Sequence, residues 1–330
     1  MSSEMNRRAF VKGSLAASTG AAAMGFSYSY EDACMGAPLP TTGIEHTAAP
    51  KGKMPTGTIA GLKVSRMLLG GNLLTHYTHS RDLKYVYNLT SHYNTDAKIL
   101  ETLALAEQHG IDTLSIHVVP RALKVMQAHR KRGGKMKWII CPTAPVTRDM
   151  KAYAKQVQEL IDMGTDALYL WGVRGDRLTG RNVELMAKAV QIAKDHGVPS
   201  GVGAHDLNAV KACEKAKIPT DFYIKTLHHH KYRTGPRPDE LKSAYSEYPG
   251  YWCKDPKETI EFMKGVEKPW IAYKVMAAGA IPPKSAFQYA LAGGADYLLV
   301  GMFDFEIAED AAIMRQALAA VKTRDRPWRS

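Results

Sequence analysis

The feature that most constrains this fold is an alternation of strand and helix patterns, repeated eight times between residues 65 and 325. Short runs rich in β-branched and aromatic residues alternate with stretches whose apolar residues recur at helical spacing. The strand candidates are 65–72, 113–118, 137–143, 167–173, 199–206, 221–228, 270–279 and 296–302. Eight parallel strands joined by crossover helices form a (β/α)8 barrel. The sequence therefore predicts an α/β fold, a single-domain TIM barrel over residues 58–330.

Three helix candidates end in glycine, which favours the backbone conformation that closes a helix. They span residues 96–110, 150–164 and 182–197, and Asp96 is the predicted N-cap of the first. No GxGxxG follows the first strand, and no change in composition divides the chain. Both observations disfavour a doubly wound dinucleotide-binding fold.

The N-terminus predicts export. Arg7 and Arg8 precede a weakly apolar stretch rich in Ala, Ser and Gly, which resembles a twin-arginine signal. We expect a signal over residues 1–34 with an uncertain cleavage site, then a Pro-, Gly- and Thr-rich arm over 35–57. The expected location is periplasmic or otherwise exported, with no stable membrane insertion after processing.

The net charge of +12 raises the question of nucleic-acid binding. The basic residues are scattered, and the one dense run, 129–137, falls where a helix ends, a place that favours cations. We therefore expect no nucleic-acid partner. The four cysteines form no CxxC, so neither a zinc finger nor a disulfide framework is predicted. The expected partner is a small-molecule substrate, and the oligomeric state stays open.

Strand ends supply the candidate site, because the chemistry of TIM barrels gathers at the C-terminal ends of the strands. Long polar and aromatic segments at 73–94 and 231–256 are expected to lie over the same mouth. The predicted substrate-binding residues are Asn72, Trp171, Arg174, Tyr251 and Trp252. Aromatic rings there would stack on sugar faces or would pack within their own loop.

Histidines and one aspartate at strand ends suggest a metal. The predicted ligands are His117, His205, His228, His230 and Asp304. Two or three imidazoles with a carboxylate suit Zn²⁺, or Mn²⁺ and Fe²⁺ with open positions. A divalent metal is therefore the expected cofactor, with Asp206 orienting His205. The alternative is that these histidines are loop or core residues.

Two strand lysines are the remaining catalytic candidates. Side chains alternate along a strand, and a lone ammonium on the helix-facing side would be expensive to bury. We therefore expect Lys225 and Lys274 to point into the barrel mouth, where their mutual repulsion would lower the pKa of one of them. The alternative is that each is neutralised by a buried carboxylate and only holds the barrel together.

Residues 57–118 resemble the opening of aldo-keto reductases. The segments GTIAGLKVSRMLLGGN and ILETLALAEQHGIDTLSIH carry this likeness, which implies nicotinamide-dependent hydride transfer. It also implies an aspartate, a lysine and a histidine on the second, third and fourth strands. Their places fall at Ser115, near Cys141 or Pro142, and near Trp171. None of these residue types stands there, so the family's proton-relay tyrosine system is not matched.

The other half of the chain resembles class I aldolases of the deoxyribose-phosphate type. DFYIKT and the segment from IAYKVMAAG to YLLVG carry this resemblance. It implies that Lys225 forms a Schiff base and that Lys274 lowers its pKa.

We predict an exported, metal-dependent lyase, hydrolase or isomerase acting on a small polar carbonyl compound or a sugar-like substrate. One alternative is a Schiff-base lyase using Lys225. The other is an aldo-keto reductase-like oxidoreductase, or a barrel that binds ligand without turnover.

Overall fold

The computed structural model describes residues 52–330. The predicted export signal and most of the arm lie outside these residues. The end of the arm is already structured, because β1 (Thr56–Ile59) pairs antiparallel with β2 (Leu62–Ser65) ahead of the barrel. None of the helices in the described part of the chain has the length and apolarity needed to cross a bilayer.

Eight parallel strands close into a barrel in chain order, and the last strand pairs with the first. The strands are β3 (Met67–Gly70), β4 (Thr113–His117), β5 (Lys137–Cys141), β6 (Ala167–Leu170), β7 (Ser200–Ala204), β8 (Phe222–Thr226), β9 (Trp270–Tyr273) and β10 (Tyr297–Val300). Each lies inside a segment predicted from the sequence, so the TIM barrel is confirmed.

Helices cover the outside of the barrel. They are α1 (Tyr85–Tyr93), α2 (Asp96–Gln108), α3 (Pro120–Lys131), α4 (Lys151–Asp162), α5 (Gly172–Leu178), α6 (Val183–Asp195), α7 (Leu207–Lys215), α8 (Pro256–Lys264), α9 (Pro283–Ala292) and α10 (Asp304–Ala320). The N-cap of α2 is Thr95 rather than Asp96, because the Thr95 side chain accepts a hydrogen bond from the backbone N–H of Lys98.

The strand side chains separate into two apolar clusters. Leu68, Ile139, Phe222, Ile224 and Ile271 belong to the cluster inside the ring. The residues next to them along the strands belong to the larger cluster between the ring and its helices. This alternation follows the period of two in a strand. It decides which polar side chains at the strand ends reach the mouth.

Candidate active site at the barrel mouth

A buried histidine and a carboxylate form the centre of the candidate site. Nδ1 of His205, just after β7, lies 2.8 Å from Oδ2 of Asp176 on α5. The other oxygen of Asp176 accepts the backbone N–H groups of His205 and Asp206, both at 2.9 Å. These bonds fix the carboxylate. Nδ1 therefore carries the proton and donates a hydrogen bond to Asp176, and Nε2 keeps its lone pair.

Burial sets the protonation states of this pair. It lowers the pKa of His205 well below its usual value, and the charges of Lys274 and Lys225 act in the same direction. Burial also raises the pKa of Asp176 to about 6, against the stabilising backbone N–H groups. At neutral pH the pair is therefore a neutral imidazole beside an ionised carboxylate.

Lys274 adds an amine to the same mouth. It follows β9 directly, and its φ of 56° is in the left-handed region that side chains rarely adopt. Its Nζ lies 5.2 Å from the ring centre of Trp252 and 5.9 Å from the ring centres of Tyr245 and Tyr273. The rings reduce the contact of the amine with water. Burial lowers the pKa of Lys274 to about 7, although the carboxylates of Glu247 and Asp176 oppose the shift.

The amine and the histidine share aromatic neighbours. The imidazole of His205 lies 4.4 Å from the ring centre of Tyr245 and 5.4 Å from that of Tyr273. Both tyrosines also lie next to Lys274. Burial raises the pKa of each tyrosine, so both phenols stay protonated at neutral pH. Lys274 is therefore the group in this cluster whose protonation changes near neutral pH.

Two loops meet over the mouth. Nδ1 of His79, after β3, lies 2.6 Å from Oε1 of Glu247, in the loop between β8 and α8. Burial lowers the pKa of His79, so the neutral ring donates this hydrogen bond. Trp252 packs 5.3 Å from the imidazole of His79, and the Asn72 amide lies 3.4 Å from its Nε2. The predicted substrate residues Asn72 and Trp252 thus lie beside the candidate site.

Lys225 lies elsewhere. Its Nζ donates to the carbonyl and the hydroxyl of Thr226, both at 2.9 Å, and lies 3.9 Å from Sγ of Cys253. Tyr223 and Leu227, on the same side of the strand, belong to the outer cluster. The expected inward direction of Lys225 therefore does not hold. A lysine can face the helices when neighbouring oxygens accept its protons.

The backbone conformation explains why only one lysine reaches the mouth. Ala272, two residues before Lys274, faces the outer cluster, whereas Tyr273 packs against the inner one. Regular alternation would turn Lys274 outward as well. The left-handed φ at Lys274 breaks the alternation, which the sequence pattern does not reveal.

Ring nitrogens of His228 and His230, after β8, are hydrogen-bonded to backbone groups. Nε2 of His228 accepts the N–H groups of Trp252 and Cys253 at 2.9 and 3.2 Å, and its Nδ1 lies 3.0 Å from the carbonyl of His229. Nε2 of His230 lies 2.7 Å from the carbonyl of Cys253. These rings hold the loop between β8 and α8 against the end of β8.

Asp304 and Asp206 also have structural partners. Asp304 begins α10 and accepts the Tyr93 hydroxyl at 2.7 Å and the Lys98 amine at 3.1 Å, both from the α1–α2 region. Asp206 caps α7 by accepting the N–H of Asn208. The group that orients His205 is thus Asp176 instead of Asp206.

The remaining predicted residues lie around the mouth with different degrees of burial. His117, Trp171 and Arg174 are half-buried at the ends of β4 and β6, and Arg174 donates to the carbonyl of Thr143. Tyr251 is fully buried, and its hydroxyl lies 3.1 Å from the carbonyls of Glu240 and Ser243. It therefore stabilises its own loop.

Sequence reasoning missed three residues of the candidate site, Asp176, Glu247 and Tyr273, whereas His79 and Tyr245 lie in the two long segments that were expected over the mouth. Asp176 is the aspartate in WGVRGDR, just past the fourth strand. The rule that the chemistry of a TIM barrel gathers at strand ends could have predicted it. The others lie in long loops or at a strand position whose partner only the folded ring supplies.

Two surface hollows lie away from this cluster. One, of about 470 Å³, is lined by residues of α1 and α2, and the other, of about 620 Å³, lies at the N-terminal end of the strands beside Asp221 and Lys268. Both are open and shallow and hold no comparable set of buried ionisable groups. The position of His205 and Lys274 at the C-terminal strand ends is the stronger indication of a site.

Comparison with solved structures finds proteins that have a similar fold. A Pseudomonas aeruginosa protein described as an aldo-keto reductase is 18% identical, with a TM-score of 0.55, covering 82% of this chain and 99% of the other. An aldo-keto reductase from Bacillus halodurans, in its holo form, is 13% identical, with a TM-score of 0.53 and coverages of 82% and 92%. A glycerol dehydrogenase from Gluconobacter oxydans is 11% identical, with a TM-score of 0.52 and coverages of 81% and 93%.

The barrel has an aldo-keto reductase-like fold. The resemblance expected from the sequence is confirmed at this level, and identities this low show the fold alone. No protein-family model matches the sequence, and no curated protein matches it either.

The predicted metal-dependent lyase, hydrolase or isomerase is wrong. The three solved structures compared above are two aldo-keto reductases and a glycerol dehydrogenase, which are oxidoreductases, so neither that reaction type nor the expected divalent metal is supported. Among residues 52–330, no group of three or more His, Cys, Asp or Glu side chains is arranged to hold a metal ion. His228, His230 and Asp304 have the protein partners described above, which accounts for their positions without a metal.

Proposed function

We propose that this protein is an oxidoreductase that interconverts a small polar carbonyl compound and its alcohol. The observation that carries the proposal is the joint placement of Lys274 and the His205–Asp176 pair under aromatic rings at the barrel mouth. Lysine, histidine, aspartate and tyrosine are the residue types implied by the reductase resemblance, although here they come from other strands. The reductase-like fold supports the same proposal.

In the direction of reduction, the carbonyl oxygen takes up a proton. Lys274 is the group suited to donate it, because a pKa of about 7 keeps much of the amine protonated at neutral pH while leaving it a ready donor. The ammonium also stabilises negative charge on the oxygen, an effect that is strong where water is excluded.

His205 is suited to bind a hydroxyl group of the substrate. Asp176 holds the proton on Nδ1, so the lone pair of Nε2 is directed away from the carboxylate and accepts a hydrogen bond. In the direction of alcohol oxidation, the neutral amine of Lys274 takes the proton back, while Nε2 of His205 keeps its hydrogen bond to the substrate. Asn72 and His79 add polar groups to an otherwise aromatic enclosure, which favours a hydroxylated substrate.

The mouth has features that fit a nicotinamide dinucleotide. Gly301, after β10, borders open space in which an added Cβ would meet no atom within 4 Å. Arg174, after β6, has a buried Nε without a hydrogen-bond partner in residues 52–330, a donor that suits a phosphate oxygen. β6 and β10 lie on opposite sides of the ring, which suits an extended molecule. When bound, the nicotinamide supplies the hydride.

The test is a reduction assay with the purified full-length protein. Reduced nicotinamide dinucleotides, with and without the 2′-phosphate, are mixed with short hydroxy aldehydes and ketones, and oxidation of the nicotinamide is followed by absorbance. We expect turnover with at least one pair. His205→Asn should lower kcat/KM by about 100-fold, the usual contribution of a positioned acid–base group.

The matched control is His229→Asn. His229 follows the neighbouring strand β8, but its ring contacts Ser285 and Tyr289 on α9 rather than the residues of the mouth. The His229→Asn variant should be as active as the wild type. Absence of nicotinamide binding by fluorescence, together with absence of turnover, would overturn the proposal.

A further inference from the structure

We propose that the Lys274 amine captures small aldehydes and ketones covalently as an imine. This goes beyond the proposed oxidoreductase function and does not depend on it, since imine formation needs no hydride donor. The sequence resemblance to aldolases implied covalent chemistry at Lys225. The geometry of the mouth points to the neighbouring strand instead.

The first requirement is an amine without a neutralising partner at bonding distance. Glu247 and Asp176 influence Lys274 only through space, and neither accepts a hydrogen bond from it. Nζ lies over the faces of Trp252, Tyr245 and Tyr273, at 5.2 to 5.9 Å from the ring centres. Such an enclosure favours the neutral amine, the form that attacks carbonyl carbon.

The second requirement is access. Lys274 and Tyr273 are only partly buried as residues, although the amine itself is enclosed by rings. Lys225, by contrast, is 1% exposed, and both of its closest oxygen partners come from Thr226. A small carbonyl compound can therefore approach Lys274 from the mouth, while Lys225 lies behind the strand.

The third feature is a backbone held in an unfavourable conformation next to the amine. Lys274, Ala277 and Ala278 all have φ between 46° and 56°. A residue with a Cβ pays a steric cost in this conformation. Strain of this kind persists where the surrounding structure imposes it, and here it is what directs the amine towards His205 and the aromatic rings.

The step balances without an oxidant or a reductant. The lone pair of the neutral Lys274 nitrogen attacks the carbonyl carbon and forms a C–N bond, and the nitrogen proton passes to the oxygen to give a carbinolamine. The C–O bond then breaks as the hydroxyl takes up the second nitrogen proton and leaves as water, and the neutral imine remains. Nε2 of His205 is the unprotonated base in the same aromatic enclosure that is suited to relay the proton.

The ligand class is a short aldehyde or ketone bearing hydroxyl groups. The amine lies among aromatic rings at the barrel mouth. Asn72, His79 and Glu247 place hydrogen-bonding groups at its edge. A hydroxyl next to the carbonyl can hydrogen-bond with groups of these types, so glycolaldehyde is the probe of choice.

The experiment is reductive trapping of the folded full-length protein with glycolaldehyde and cyanoborohydride, followed by peptide mass mapping. We expect the peptide containing Lys274 to be modified about tenfold faster at neutral pH than peptides containing Lys225 or the exposed Lys322, because ordinary lysine amines are protonated there. The rate should rise as the pH increases through about 7. Lys274→Arg should remove only this modification.

Two results would overturn the inference. One is modification spread over exposed lysines, with Lys274 unmodified in the folded wild-type protein. The other is a Lys274 rate that stays low until the pH at which exposed lysines react. Because the site is mapped on the wild type, the result does not depend on the folding of a variant. Trapping and nicotinamide turnover are separate measurements, so either proposal can fail alone.

Discussion

The 2.8 Å hydrogen bond from Nδ1 of His205 to Oδ2 of Asp176 determines which imidazole nitrogen faces the mouth. The second carboxylate oxygen is held by two backbone N–H groups, so the carboxylate cannot turn without breaking them. Asp176 therefore acts on the chemistry through His205, as a positioning residue.

Asp176→Asn should reverse the tautomer of His205. The backbone N–H groups would keep the amide oxygen in place, so the NH₂ group would face Nδ1 and the proton would move to Nε2. We expect a loss of about 100-fold in kcat/KM. Nitrogen NMR of labelled histidine should detect the change of tautomer. Asp206→Asn is the matched control, since asparagine caps a helix as well as aspartate does. Equal activities of the two variants would contradict the role of Asp176.

The pH profile of carbonyl reduction should be a narrow bell. Activity should fall as the pH drops through about 6, where Asp176 takes up a proton. It should also fall as the pH rises through about 7, where Lys274 loses the proton it donates. As the pH rises through about 7, the rate of imine trapping should increase instead, because trapping needs the neutral amine. A reduction rate that is flat between pH 5 and 9, from about one unit below the lower limb to about two units above the upper limb, would exclude both residues from the proton transfer.

Lys274→Met should stabilise the protein while abolishing activity. The folded state lowers the pKa of Lys274, so the protonated amine costs stability at and below neutral pH. That cost disappears as the pH approaches 10.5. We expect a gain of about 2 kcal/mol in the free energy of unfolding at pH 7, measured by urea denaturation, and a smaller gain at pH 10. A loss of stability at pH 7 would mean that the amine is well solvated.

Ala278→Gly should also stabilise the fold. Ala278 is exposed and has a φ of 56°, a conformation that glycine adopts without cost from a Cβ. We expect a gain of about 0.5 kcal/mol, after subtracting the greater entropy of glycine in the unfolded chain. Ala104→Gly, at an exposed position within α2, is the control and should cost about 1 kcal/mol. Equal losses for both variants would show that position 278 is not left-handed in solution.

Glu247→Gln should loosen the contact between the two loops over the mouth. The carboxylate accepts a hydrogen bond from His79 and one from the Trp252 indole, at 2.6 and 3.4 Å. An amide in its place is a weaker acceptor. We expect faster hydrogen exchange in residues 72–84 and 243–253, with little change in the barrel strands. Glu261→Gln, in an exposed pair on α8, should leave exchange unchanged and serves as the control.

The sequence by itself determined the ring. Eight segments of strand pattern, each followed by a helical one, have one compact parallel arrangement, and all eight strands were found where the pattern predicted them. The same pattern identified His205 and Lys274 as strand-end residues. Periodicity is a local property, so it can be read from residues that are neighbours in the chain.

Only the tertiary structure decided which groups form the site. Strand alternation predicted that Lys225 points inward, but a neighbouring threonine satisfies its amine on the outer side, and a left-handed residue turns Lys274 inward. Asp176 and Glu247 reach their histidines from elements 29 and 168 residues away. Such partners are set by hydrogen bonds and backbone conformation formed only when the ring closes, and for that reason the sequence pattern does not contain them.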